Sequence, residues 1–446
     1  MARDSLAKRP IAARASLPTW AIALGIFLSA LVVDAYRIGS TLPRAQFGDE
    51  WRYIYYAKNL LAGFYSPHDR IFLCNGPGYP LFLVPFVKLG SLDAARYANA
   101  VLHALALVYA WLILKPRVPA PWSFLAVALL GLYLPTKEFL PLLYTEVLCF
   151  LLVTAFTYHA LRIGRGTLHT VVAGSCLGVL ALTKVVFGYV LVVFLLVALF
   201  GVWRGWAPRW RAHAMATLLA LGLCVPYLGY TYSLTGRVFY WNSLGSNSFY
   251  WLTSPFPDEL GDWYHQGWVQ RNPLLRAHHL ALFDKTSGLD RDPNLSVVEQ
   301  LRNLSTPETG DVFAEAARRN VREHPLKFAK NWLYNVVRLF LDVPVTVRGT
   351  PWWNPYSQSH LALLSFSAYV AVRARRARVR PAAAYTPLFV LFGLSLLAYS
   401  LSSAVARYLF PLVPLWWLVA CHWLGRVSSR DGAGEPEPAS GASQPG

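Results

Sequence analysis

Runs of apolar residues, broken by short polar punctuation, dominate this chain. They predict ten membrane helices near 17–36, 94–114, 121–136, 144–163, 167–183, 185–203, 212–231, 359–373, 383–401 and 408–425. A helix needs about 20 apolar residues to cross the hydrocarbon core, so several of these runs are only just sufficient. Two further apolar stretches, 79–90 and 326–343, carry charges at spacings that suit helices lying along the membrane surface. Between the runs lie two long polar segments, 37–93 and 232–358, and a tail from Val427 rich in Gly, Pro, Ser and Glu that predicts disorder.

Composition agrees with that pattern. Hydrophobic residues make up 55% of the 446 positions and charged residues only 14%, against about 25% charged in soluble domains. The 17 Trp suit a protein with aromatic belts at two interfaces. The net charge of +18 could signal nucleic acid, but the basic residues fall in short clusters between apolar runs. No basic domain exists, so the charge reads as membrane topology. Four of the five cysteines lie in or beside apolar runs and Cys74 stands alone, so no disulfide framework is implied.

The positive-inside rule then orients the chain. With the N-terminus inside, the inner segments hold 18 basic residues against four acids, including the run "RARRARVR". Treating 79–90 as a full span would put that run outside. This divides the chain into a cytoplasmic segment 1–16, a core 17–231 with the first outer loop 37–93, a large outer segment 232–358, C-terminal helices 359–425 and a cytoplasmic tail 426–446. The preference for Arg over Lys suits a bacterial inner membrane, with 232–358 facing outward as short helices and loops.

Charged residues converge on the outer side. Asp49 and Glu50 sit in the first outer loop, in "GDEWRYIYYAKNLLAGFY", where a surface helix would run to Gly63 with Trp51, Ile54, Tyr55 and Leu61 as its apolar stripe. Glu146 begins one helix, Lys184 sits at a turn between two others, and Arg407 precedes the last. Asp49 as a simple helix cap, and Lys184 as a snorkelling side chain, are alternatives that local sequence leaves open. Four charged sites of both signs at one membrane face point to a shared polar cavity. Such a cavity suits transfer from a lipid-linked phosphate, because a carboxylate can act as base and cations can hold the leaving phosphate. No nucleotide-binding signature is present.

These residues, with "GPGYPLFLVPFVKLGSLDAARYANAVLHALAL", "LYTEVLCFLL", "LGVLALTKVVFGYV", "HPLKFAKNWLYNVVRLF" and "RYLFPLVPLWWL", resemble the polyprenyl-phosphate-dependent glycosyltransferases of the GT-C fold. The likeness is nearest to the protein O-mannosyltransferase and aminoarabinose transferase branch (glycosyltransferase family 39) and spans roughly residues 17–425. It implies an all-α integral membrane bundle of about ten transmembrane helices with outer-face surface helices and a large outer loop. It implies Asp49 as catalytic base, with Glu50, Glu146, Lys184 and Arg407 binding substrate. The family's Lys before its Pro pair is missing from Asn75–Pro80, and Arg70 is the candidate substitute. The implied reaction inverts the sugar, needs no metal and no cofactor, and takes a polyprenyl-phosphate sugar as donor. The acceptor is a lipid, a glycan or a protein. A lipid-linked sugar flippase, or a polymerase or ligase using lipid-linked oligosaccharide, are the competing readings.

Two features stay outside that scheme. Tyr240, Trp241, Tyr250 and Trp251 suit an interfacial belt, or a platform for a sugar ring. His265, His278 and His279 lack the spacing of a known metal motif, which predicts no metal site there.

Overall fold

The computed structural model describes residues 17–42, 45–46, 48–69, 71–206, 209–264, 266–287, 306–343, 345–347, 353–380, 383–402 and 404–431. Among them there is no β-strand. Eighteen α-helices follow in order: α1 Thr19–Gly39, α2 Glu50–Leu61, α3 Gly78–Lys88, α4 Leu92–Leu114, α5 Ala120–Gly131, α6 Thr136–Phe139, α7 Thr145–Ala160, α8 Thr167–Thr183, α9 Val186–Trp203, α10 Arg209–Thr235, α11 Gly245–Leu252, α12 Gln266–Arg271, α13 Pro273–Ser287, α14 Pro307–Glu323, α15 Pro325–Leu341, α16 Pro355–Arg376, α17 Thr386–Ser400 and α18 Val413–Asp431. Two 3-10 helices, Ala383–Tyr385 and Ala406–Leu412, precede α17 and α18.

Each of the ten apolar runs forms a helix, but they are not equal. Among the described residues, six segments are long and apolar enough to cross a bilayer: α1, α4, α9, α10, Ala383–Ser400 and Ala406–Ser428. Helices α5, α7 and α8 are apolar but shorter. Helix α7 has 16 residues, and almost all of its side chains are buried against its neighbours. A helix shielded by protein on all sides need not match the bilayer thickness. Helix α16 ends in Arg373, Arg375 and Arg376 and is less apolar. The protein is an all-α, multi-pass membrane protein.

The bundle is held by close backbone approach. Helix α8 carries Gly174 and Gly178 four residues apart, facing α10. A Cβ on Gly174 would lie 2.6 Å from the Ala216 carbonyl oxygen, and one on Gly178 3.0 Å from that of Ala220. Small residues at this spacing let two helices pack backbone to backbone within lipid. Elsewhere buried polar pairs fasten helices: Asp34 of α1 to His103 Nδ1 of α4 at 2.6 Å, and the Tyr133 hydroxyl to His360 Nε2 of α16 at 2.7 Å.

The two surface helices behave differently. Helix α3 has 11 residues, about 16 Å of rise, too short to cross. Helix α15 buries Asn331, Asn335 and Arg338, while Leu326, Leu333 and Val337 stay exposed. Polar residues inward and an apolar stripe outward is the pattern of a helix lying against lipid.

The bundle has two ends. Lys115 reaches Thr19, Arg162 donates to the Leu112 carbonyl, Gly425 presses on the Arg117 carbonyl, and His422 lies in the field of Arg117, Arg162 and Arg426. The basic residues Lys115, Arg117, Arg162 and Arg426 belong to segments expected on the inner side, and they lie near one another. At the opposite end Asp49, Glu50, Glu146, Lys184 and Arg407 gather. The segment 232–358 forms α11 to α15 at that same end, with an aromatic core of Tyr250, Trp251, Tyr264, Phe283 and Phe313. Trp241 and Trp251 are fully buried and Tyr250 nearly so. They are therefore core residues, neither belt nor sugar platform: Trp241 packs on Gly188 in the main bundle core, and Tyr250 and Trp251 belong to the separate aromatic core. The segments 1–16 and 432–446 lie outside the described residues.

Candidate active site

Asp49 is placed by its neighbours on both sides. Gly48 has φ +53°, and a Cβ there would sit 2.1 Å from the Tyr144 hydroxyl. Glycine thus permits both the left-handed turn and the contact. The same hydroxyl accepts the Asp49 backbone N–H at 3.0 Å. Asp49 occupies the N-cap position of α2, yet its side chain makes no capping hydrogen bond. Its Oδ1 faces Arg52 Nη2 at 2.6 Å and its Oδ2 accepts from Arg407 Nη2 at 2.8 Å. The simple capping role is excluded by this geometry.

Burial opposes the charge on Asp49, but Arg52 and Arg407, with Lys184 beyond them, hold its carboxyl well below the usual carboxylate range. Asp49 remains partly open to solvent at 24% exposure, as does Arg407 at 32%. The Arg407 Nε is buried without a partner, and its guanidinium lies over the Tyr144 ring at 5.6 Å.

Glu146 and Lys184 form the second half of the cluster. Lys184, capping the C-terminus of α8, donates from Nζ to Glu146 Oε1 at 3.0 Å. The Thr145 hydroxyl donates to Glu146 Oε2 at 3.2 Å. Lys184 also lies 5.7 Å from the Tyr408 ring, and Glu146 lies in the field of Arg407 and Asp49. A lone snorkelling lysine would instead extend into water. The loop 75–78 seals this side. A Cβ on Gly76 would lie 2.1 Å from the Leu182 carbonyl oxygen, and one on Gly78 2.4 Å from Thr183 Oγ1. Only glycine lets the first outer loop dock directly beside Lys184.

Glu50 has a different fate from its neighbour. It is wholly buried. Its Oε1 accepts from Arg96 Nη2 at 3.3 Å and from the Leu143 backbone N–H at 2.8 Å. Substrate binding by Glu50 does not fit this placement. It ties α2 to α4 and to the segment entering α7, and so holds the register of Asp49. One step along a helix rotates a side chain by about 100°, which sends two adjacent acids to opposite surroundings. For the same reason α2 is not a helix with one apolar stripe. Tyr53, Ile54, Tyr56 and Ala57 are buried with Arg52 and Asn59.

Arg52 was missed by sequence reasoning. It stands three residues after Asp49, the spacing of a helical ion pair, and it also donates to Cys74 Sγ at 3.0 Å. Tyr144 was missed too, and no local signal marks it. Arg70 lies outside the described residues. Arg407 is carried by the 3-10 helix, not by the first turn of the last α-helix. The segment before it is held by α15: Asn335 Oδ1 accepts the Ala404 N–H at 3.0 Å, and Asp342 accepts the Ala406 N–H at 3.2 Å.

Two carboxylates and three cations therefore share this spot, a formal surplus of one positive charge. Such a set can take up an anion and retain a carboxylate for proton transfer.

No family model matches the chain, and no curated protein matches it. Among solved structures it is similar to the archaeal oligosaccharyltransferase AglB from Archaeoglobus fulgidus, in complex with an inhibitory peptide and a dolichol-phosphate. That likeness has a TM-score of 0.47 and 13% identity over 91% of this chain and 50% of that one, so the chain spans half the length of AglB. It is also similar to ArnT from Cupriavidus metallidurans bound to undecaprenyl phosphate, with a TM-score of 0.36 and 15% identity over 93% of this chain and 77% of that one. The apo state of ArnT gives 0.34 and 16% over 92% and 77%. At these values the likeness assigns no residue a role.

Proposed function

We propose that the protein is an integral-membrane glycosyltransferase of the GT-C type. It moves a sugar from a polyprenyl-phosphate donor to an acceptor on the outer face of a bacterial inner membrane. The observation that carries this reading is the mixed cluster itself: Asp49, Arg52, Glu146, Lys184 and Arg407, drawn from four separate stretches of chain to one end of the bundle. A phosphodiester anion fits the positive surplus. Lys184 has donors beyond the one that meets Glu146, and the Nε of Arg407 is free of partners.

In this reaction Asp49 takes the proton of the acceptor hydroxyl or amine. The acceptor atom attacks the anomeric carbon, the bond from that carbon to the phosphate oxygen breaks, and polyprenyl phosphate leaves with the electron pair. One displacement inverts the anomeric centre. Lys184 and Arg407 stabilise the charge gathering on the leaving phosphate, so the step needs no metal. Arg407 is shared between base and phosphate, which gives the site an order of events. An Asp held by two arginines is a weak base. The donor phosphate competes for Arg407 and so restores basicity to Asp49 only when there is something to transfer.

The test uses purified protein in lipid, a polyprenyl-phosphate sugar and mass spectrometry of the products. Asp49→Asn with near-normal transfer would sink the assignment of the base. Lipid movement across the bilayer with no change of bonds would favour the flippase. A product enlarged by a whole oligosaccharide would favour the polymerase or ligase.

A further inference from the structure

Away from the Asp49 cluster, three groups that the reaction does not use meet in the outer segment. Glu259 lies in the loop after α11, and His278 and His279 lie side by side on α13. One ligand atom from each falls within 4.8 Å of the others. His278 Nδ1 is 2.7 Å from Glu259 Oε1, and His279 Nε2 is 2.8 Å from the same oxygen. We infer that Glu259, His278 and His279 form a binding site for one divalent transition-metal ion of the zinc class.

Neighbouring residues on a helix diverge by about 100°, so two consecutive histidines do not ordinarily face one point. Here they do, because they present different nitrogens. His278 offers Nδ1, close to its backbone, and His279 offers Nε2, at the far edge of its ring. The difference in reach offsets the divergence. Two histidines and one carboxylate are the donor set of three-ligand zinc sites that keep a fourth position open. With metal–ligand bonds of about 2.0–2.1 Å, tetrahedral ligand atoms stand about 3.3 Å apart, so the two glutamate–histidine distances open by roughly half an ångström while the ligand atoms, now within 4.8 Å of one another, draw together around the ion.

The surroundings are those of an oriented ligand set. The Tyr250 hydroxyl is 2.7 Å from His279 Nδ1, where it fixes the ring while Nε2 faces inward, as second-shell partners of metal-bound histidines do. Ser254 donates its hydroxyl to Glu259 Oε2. Phe256 stacks on His278 with ring centres 3.7 Å apart, and Trp251 lies 4.5 Å from the His279 ring. His279 is fully buried, while the His278 side chain is 21% exposed and marks the entry side. The spacing of 19 and 20 residues between the acid and the histidines hides this set from any local sequence motif.

The ion would clamp α13 onto the loop 253–262. Asn331 of α15 holds the carbonyls of Leu252 and Ser254 at 3.0 Å each, and α15 in turn supports the segment carrying Arg407. The inference does not depend on the proposed reaction.

The test uses the untagged full chain in detergent, stripped with a chelator and then titrated with Zn2+ against a chromophoric competitor. We expect one equivalent bound. Substituting Co2+ should give the intense visible bands of a four-coordinate site. His278→Ala, chosen because His278 is partly exposed, should lose at least ~100-fold in affinity, and Tyr250→Phe about 10-fold. The melting temperature with Zn2+ should exceed that of the stripped protein for wild type but not for His278→Ala. Substoichiometric binding by a folded wild type, or unchanged affinity in a folded His278→Ala, would overturn the site.

Discussion

Both ends of the helical bundle are rich in basic residues, but they use them in different ways. At the Arg162 end Lys115 and Arg162 lie on aromatic rings. Arg162 donates to Leu112 and to Tyr158 carbonyls and sits 3.6 Å from the Tyr158 ring. At the Asp49 end the cations meet carboxylates, and both signs share one partly open space. A lone cation at a membrane end anchors the helix and fixes orientation. A cation matched to a buried acid, with donors to spare, prepares a site for a second anion. The contrast teaches that charge count does not mark a site; what each charge is bound to does.

The largest expected effect comes from removing the carboxylate proposed as the base. Asp49→Asn should lower kcat about 10²–10⁴-fold in a sugar-transfer assay, with the protein still inserted and folded. The next tests the frame that holds it. Glu50→Gln weakens a buried ion pair with Arg96, and loss of one partner of such a pair costs roughly 3–5 kcal/mol. It should appear as a clear fall in melting temperature, larger than that of Asp49→Asn. Lys184→Gln removes a charged hydrogen-bond donor worth about 1.5–3 kcal/mol. Donor affinity should fall roughly 10- to 100-fold, read from the KM for the lipid-linked sugar. Lys184→Arg should recover part of it. An unchanged KM would return Lys184 to an anchoring role and erase the contrast between the ends.

Acidification separates the two ends more gently. The folded-state carboxyl of Asp49 is depressed by its arginines, so the stability it contributes is complete above its unfolded pKa of about 3.9 and is lost only as pH falls through the lower folded value. The kcat/KM profile should therefore show no acid limb from Asp49 between about pH 5 and 7. Arg52→Gln should raise that pKa and bring an acid limb into view. The smallest effect on transfer belongs to the opposite end: Arg162→Gln should change transfer activity less than about twofold, while the loss of its two carbonyl hydrogen bonds costs roughly 1–3 kcal/mol of stability.

Much of this architecture was legible in the chain. The ten apolar runs all became helices, and Lys115, Arg117, Arg162 and Arg426 lie at one end while the charges around Asp49 gather at the other. Lipid enforces this legibility, since every spanning backbone must satisfy its own hydrogen bonds and face apolar surroundings. Asp49, Glu146, Lys184 and Arg407 could be grouped from sequence because the last three lie at run boundaries and Asp49 in a loop, all assigned to the same side by the positive-inside rule. The length of α7 was less readable, 16 residues within the apolar run 144–163, because protein neighbours replaced lipid as its solvent.

What the sequence by itself determined is thus an all-helical chain with two chemically distinct ends and one acid-and-base cluster. Only the tertiary structure decided which of two adjacent acids faces the open space. Gly48 packing on Tyr144 and Glu50 locked to Arg96 set the phase of α2, and a one-residue change of phase would exchange the two carboxylates. It also decided that Trp241 and Trp251 are core, and that Glu259 meets His278 and His279. These outcomes depend on contacts between segments tens to hundreds of residues apart, and no periodicity within a segment encodes them.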